Sequence, residues 1–136
     1  MEPLTMNYLA VIVAAVAYFI IGAIWYSPVL FGSAWMKGIG KTKEQLAGGS
    51  AITNYLTGLI TAFLVCYGLA RLMLWTGRTS IAEGIVVALL AGICFVMATM
   101  LMNDTFEKRP CGLTAINVLY HWVGLIVAAV IIGAWR

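Results

Sequence analysis

The chain has 136 residues, 63% hydrophobic and 10% charged, with a mean hydropathy of +1.01 and a formal net charge of +3. A soluble domain carries about 25% charged residues, and a chain this short cannot hide so much apolar surface inside a water-facing globule, so lipid is the solvent it expects. The charge is too small and too scattered to point to nucleic acid. The odd cysteine count, Cys66, Cys94 and Cys111 without any Cys-x-x-Cys spacing, reads as small buried hydrophobes rather than a disulfide framework, redox or metal site.

No charged residue falls between Glu2 and Lys37. The first predicted span, 7–26, is about 30 Å of helix, the thickness of the hydrocarbon core. No Lys or Arg precedes it and no Ala-x-Ala site follows, so it reads as a span rather than a cleaved leader. Trp25 and Tyr26 mark the headgroup level. Ser27-Pro28 has the form of an N-cap followed by a first-turn proline. It predicts a helix over 28–37 lying in the interface, with Phe31 and Trp35 on one face. Thr42-Lys43-Glu44-Gln45 has capping-box spacing and predicts a further helical turn, ended by Gly48-Gly49, so the interfacial segment covers 28–47.

The second span is 52–75, with Asn54, Thr57, Thr61 and Gly68 roughly on one stripe and Arg71 one turn from the end, able to reach the headgroups. A tight turn over 76–80 leads to the third span, 81–103. There Gly84, Ala88 and Gly92 recur every four residues and form a face for close helix packing, the basis for expecting assembly with other chains. A polar loop over 104–111 precedes the fourth span, 112–135. The expectation is therefore all-α: one transmembrane domain over 1–136, a four-helix bundle with an interfacial helix in its first long loop. The echoes Asn-Tyr-Leu (from Asn7 and from Asn54) and Val-Ala-Ala-Val read as chance in such apolar sequence.

With four spans both termini share a side, carrying Arg71, Arg78 and Arg136. The opposite side carries Lys37, Lys41, Lys43, Lys108 and Arg109, and the positive-inside bias puts these loops in the cytoplasm and both termini outside. The same connectivity gathers Trp25, Tyr26, Asn54, Tyr55, Thr57, Asn103, Asn117, Tyr120 and His121 at one membrane face. Asn117, Tyr120, His121 and Gly124 share one helix face. His121 sits about 12–15 Å deep at 1.5 Å per residue, and an ionisable group there faces the bundle or a wet cavity. The preferred reading is structural, with His121 neutral and bonded to a carbonyl or to Asn54. A proton relay or polar-substrate site comes second, and axial ligation of a haem or chlorophyll-type metal third.

The expected polar pocket is His121, Asn117, Tyr120, Asn54, Thr57 and Asn103. Asp104, Glu107, Lys108 and Arg109 read as a solvated turn with its own ion pairs, with docking on the interfacial helix or lipid phosphate binding as alternatives. Trp25, Tyr26, Phe31 and Trp35 read as interface anchors, or as the wall of a lipid groove. No acid lies in mid-span, which fits poorly with the small multidrug exporters. No zinc-protease or serine-hydrolase motif occurs, so an enzyme is disfavoured and no cofactor or metal is expected.

Two blocks carry a resemblance: Trp25-Tyr26-Ser27-Pro28-Val29-Leu30-Phe31-Gly32-Ser33-Ala34-Trp35-Met36 with Gly40-Lys41-Thr42, and Phe106-Glu107-Lys108-Arg109-Pro110 with Ile116-Asn117 and Tyr120-His121. They resemble a family of small bacterial membrane proteins known as domain of unknown function 1761. The resemblance implies four transmembrane helices and a bacterial inner membrane, and it supplies no activity. The functional expectation is a non-enzymatic membrane protein that assembles with itself or a larger complex and binds membrane lipid or a small amphiphile near His121. A proton-coupled transporter is the alternative, and a lipid-modifying enzyme using Asp104, Glu107 and Arg109 the third reading.

Overall fold

Side-chain caps set where most helices begin. In the computed structural model, which describes residues 5–135, Asn7 accepts the Ala10 amide at 3.2 Å. Ser50 accepts Thr53 at 3.3 Å, and Ser80 accepts Glu83 at 3.2 Å while Glu83 returns its carboxylate to the Ser80 amide. Each satisfies an amide that the first helical turn leaves open. The helices are α1 Tyr8–Trp25, α2 Gly32–Ile39, α3 Lys43–Leu46, α4 Ala51–Trp75, α5 Ile81–Phe106 and α6 Cys111–Ala134. The Thr42/Gln45 capping box is present and opens α3 as its spacing predicts. Arg136, part of the charge balance above, lies outside the described residues.

α1, α4, α5 and α6 are long and apolar enough to cross a membrane, and no strand occurs among the described residues. At most 33% of the most apolar stretch of any span is buried. That much outward hydrocarbon is compatible with lipid and not with water. The fold is a helical membrane bundle of four spans.

α6 is its centre. It packs between α1 and α5, touches α4, and starts beneath α2. The core joins Val11, Ala14, Ala15 and Tyr18 of α1 to Ala62, Cys66, Leu69, Ala70 and Met73 of α4, Val87 and Ala88 of α5, and Leu125, Ala128 and Ala129 of α6. Every spanning helix thus contributes alanine, which lets backbones approach closely in a solvent that gives no hydrophobic drive between helices. At the far end the Asn7 amide donates to the Trp135 carbonyl at 3.1 Å, joining the start of α1 to the end of α6.

The small-residue face of α5 is used inside the chain. A Cβ on Gly84 would lie 2.6 Å from Met73 Cε of α4, and one on Gly92 would lie 2.8 Å from Trp122 Cδ1 of α6. Ala88 is 1% exposed. The face is filled by the protein's own helices, which removes the reason for assigning it to a second copy.

Two local features depart from expectation. The first is the reversal after α1. Ser27 does not cap a helix: its hydroxyl bonds back to the Ile24 carbonyl at 2.6 Å. The Ser27 carbonyl receives both Leu30 and Gly32 amides, and Trp25 receives Phe31, so Pro28 sits in a turn and α2 starts four residues later. The second is a π-helical stretch, Gly92–Met97, within α5, where the Ala98 amide reaches back to Ile93. One extra residue in that ladder turns everything downstream by about 100° relative to a regular α-helix.

Gly32 makes the reversal feasible. A Cβ there would lie 2.5 Å from the Tyr26 carbonyl oxygen and 2.7 Å from the Ser27 carbonyl, all rigid backbone. Gly32→Ala is expected to cost about 1–3 kcal/mol. Gly68→Ala, in α4 with nothing within 4 Å, is expected to be neutral or to gain up to about 1 kcal/mol from helix propensity. Thermal unfolding of the two variants side by side in detergent checks the pair.

Candidate functional site

Tyr18 lies in the middle of α1, 3% exposed. α6 can reach it because Gly124 has no side chain: a Cβ there would stand 2.5–2.8 Å from the Tyr18 ring. On the same α6 face His121 then meets Tyr18, whose hydroxyl hydrogen-bonds His121 Nδ1. Tyr120 donates to the Tyr18 carbonyl at 3.2 Å and lies over Gly22, where a Cβ would be 2.7 Å from its hydroxyl. Towards the loops, Tyr26 donates to Asn117 Oδ1 at 2.7 Å and Trp25 to the Ile116 carbonyl at 3.0 Å.

Ring contacts link these residues. Tyr18 and Tyr120 have centroids 5.3 Å apart, Tyr120 and Tyr26 5.4 Å, Tyr26 and Trp35 5.2 Å, all near edge-to-face, while Trp25 and Phe31 are 4.7 Å apart. Such pairs favour this geometry beyond simple burial. They lock α6, α1 and α2 into one aromatic wall.

α4 leaves the wall uncovered on one side. Its core contacts begin at Ala62, and of residues 51–61 all but Gly58 are exposed. The gap between α1 and α4 is a cavity of about 540 Å³, floored by Tyr18, Tyr120 and His121 and bounded by Phe19, Tyr26, Trp35, Asn54, Tyr55 and Thr61. No charged residue among those described lines it.

Of the residues singled out in the sequence, Tyr120, His121, Asn54, Tyr26 and Trp35 line the cavity. Asn117 stands behind Tyr26 as its acceptor. Thr57 lies just off the lining face of α4, which presents Thr61 instead. Asn103 is exposed and takes no part in the cavity. The π-helical stretch explains the difference, because it advances the inward face of α5 and brings Asp104 inside.

Asp104 is accordingly not part of a solvated turn. It is 9% exposed, accepts the Thr114 hydroxyl at 2.6 Å, and joins the end of α5 to the first turn of α6. Arg109 approaches it at 4.0 Å and pairs with exposed Glu107 at 2.8 Å. Lys108 holds a left-handed φ of 57°, with Lys108 and Arg109 amides returning to Thr105 and Asp104, a Schellman-type close to α5. Lys41 and Arg109 line a separate recess of about 270 Å³.

Tyr18 was not singled out in the sequence. Its signal was a lone phenol in mid-span, a group that must find a partner once buried. With the polar residues of α6 one helix face away, His121 was the available one.

Four helices apolar and long enough to cross a membrane, with a lateral cavity between two of them, define a multi-pass helical membrane protein. The chain belongs to the family described as Protein of unknown function (DUF1761), which matches residues 9–133 and so takes in both sequence blocks. Comparison with curated proteins and with solved structures finds no match.

The Asp104–Thr114 bond is expected to matter to stability. Thr114→Val leaves a carboxylate oxygen without its donor and is expected to cost about 1–3 kcal/mol. Adding Asp104→Leu to Thr114→Val should cost less than the sum of the single changes, and a double-mutant cycle on unfolding midpoints reads the coupling.

Proposed function

We propose that this protein is a non-enzymatic multi-pass component of a bacterial cytoplasmic membrane that holds an amphiphile between α1 and α4. The polar end of the amphiphile rests at His121 and its apolar part points to the bilayer. The observation that carries this reading is the shape and chemistry of the cavity: about 540 Å³, aromatic and apolar over most of its wall, with His121 and Asn54 as its polar groups beside Tyr and Thr hydroxyls. That is the usual composition of a small-molecule site, mostly apolar with few placed polar groups. The splayed half of α4 gives the ligand a lateral route from lipid. The Lys-rich loops support a cytoplasmic position for the α2 side, with both chain ends across the membrane.

The other readings have less support. Transport needs a path through the bundle, whereas Ala10, Val11, Ala14, Cys66, Ala128 and Ala129 are fully buried below the cavity. A lipid-modifying site needs Asp104 and His121 together. Thr114, which holds Asp104, lies about 10 Å from His121 along α6 at 1.5 Å per residue. Assembly loses the small-residue face of α5, which is filled within the chain.

Ala23 is exposed and lines the cavity mouth, so Ala23→Trp fills the space without entering the core. Native mass spectrometry of the gently extracted protein is expected to show a retained amphiphile, several-fold depleted in Ala23→Trp. Adding that amphiphile back at about 100 times its dissociation constant should stabilise the unsubstituted protein by about 2.7 kcal/mol and leave Ala23→Trp unmoved. Equal retention in both proteins would refute the site.

A further inference from the structure

Resting on the cavity as a binding site, we infer that its ligand has an uncharged head bearing a carbonyl oxygen, the chemistry shared by isoprenoid quinones and ester-linked neutral glycerolipids. The argument begins with charge. Among the described residues no Lys, Arg, Asp or Glu lines the cavity, and Lys41 and Arg109 line a different recess. A charged head would enter a low-dielectric site with no counter-charge, at a cost that such sites avoid.

Hydrogen-bond bookkeeping then selects an acceptor. The Tyr18 hydroxyl has no acceptor among the described residues other than His121 Nδ1. With the hydroxyl assigned as donor to Nδ1, the ring proton is on Nε2. Nε2 has no protein partner among the described residues, yet it is not a sealed unsatisfied atom. His121 lines the cavity, so this N–H is open to what enters. Across the cavity the Asn54 side-chain amide also has no protein partner among the described residues, and its NH₂ supplies two more donors. The cavity therefore offers donors from two sides. Carbonyl oxygens, with two lone pairs each and no proton of their own, suit such donors. The flanking rings of Tyr26, Trp35 and Tyr55 suit a flat head.

The test uses the full chain in detergent and four short-tailed probes: a decyl benzoquinone, dioctanoylglycerol, dioctanoyl phosphatidate and decanol. Thermal midpoints are read against probe concentration for the unsubstituted protein, His121→Ala, His121→Gln, Asn54→Leu and Ala23→Trp. The expected result is a saturable upward shift with at least one of the first two probes and none with phosphatidate or decanol at the same concentration. The quinone acting alone assigns a ring carbonyl, and the glycerolipid acting alone assigns an ester. His121→Ala should weaken binding about tenfold, with most of the loss recovered in His121→Gln, which keeps an N–H donor. Asn54 is exposed and free of protein bonds, so Asn54→Leu keeps the fold and should weaken binding several-fold even where His121→Ala does not fold. Phosphatidate or decanol binding as well as the carbonyl probes overturns the inference. If Ala23→Trp abolishes that binding, the site itself stands. Shifts that are identical in Ala23→Trp, or no shift with any probe, remove both the site and its ligand class.

Discussion

The constraint on which the rest depends is the distance at which α6 can lie from its neighbours. Lipid gives helices no hydrophobic reason to associate, so contact area at close range must hold them. Gly124 against Tyr18, Gly92 against Trp122, and the alanines of all four spans provide it. Were α6 held further out, Tyr18 would not reach His121, the Trp122 indole would not reach the Gly92 carbonyl at 2.8 Å, and the aromatic wall would open. The polar contacts of the bundle are therefore consequences of its small residues. They add orientation to an arrangement that packing has already made possible.

Much of this architecture was legible because lipid imposes a simple rule. Span ends read from composition fall no more than three residues from the helix ends, and the Thr42/Gln45 box opens α3 as its spacing implies. The errors have local physical causes. Ser27-Pro28 has the form of a helix start, but the free carbonyls at the end of α1 competed for the same donors and drew the chain into a turn. The π-helical stretch has no residue signature, so the phase of α5 was carried straight through it. Gly84, Ala88 and Gly92, which precede or open it, share one face as their spacing implies, but that face meets α4 and α6 rather than a second chain. Asn103, which follows it, was placed inward when its neighbour Asp104 is the residue inside. Spacing alone likewise could not say whether a small-residue face meets its own chain or another.

The polar residues near the loop side divide into two separate groups. Tyr18, Tyr26, Asn117, Tyr120 and His121 are neutral groups bonded among themselves beside the cavity. Asp104, Glu107 and Arg109 are ionisable groups gathered at the α5–α6 junction, where Thr114 anchors the buried carboxylate. The described charged side chains on this side, Lys41 in its separate recess and the α5–α6 cluster among them, stay out of the cavity lining. In a medium of low dielectric constant that separation keeps strong fields away from the cavity.

The uneven burial of α4 has a mechanical meaning. Its second half is clamped by Ala62, Cys66, Leu69, Ala70 and Met73, whereas its first half is exposed except where Tyr55 and Gly58 meet Phe19 of α1. This is a lever with its fulcrum at Ala62. A bend of about 5° at Ala62 would carry Ala51 through roughly 1.4 Å, given 1.5 Å of rise per residue. The width of the opening thus depends on the least buried half of α4 and not on the core beneath it.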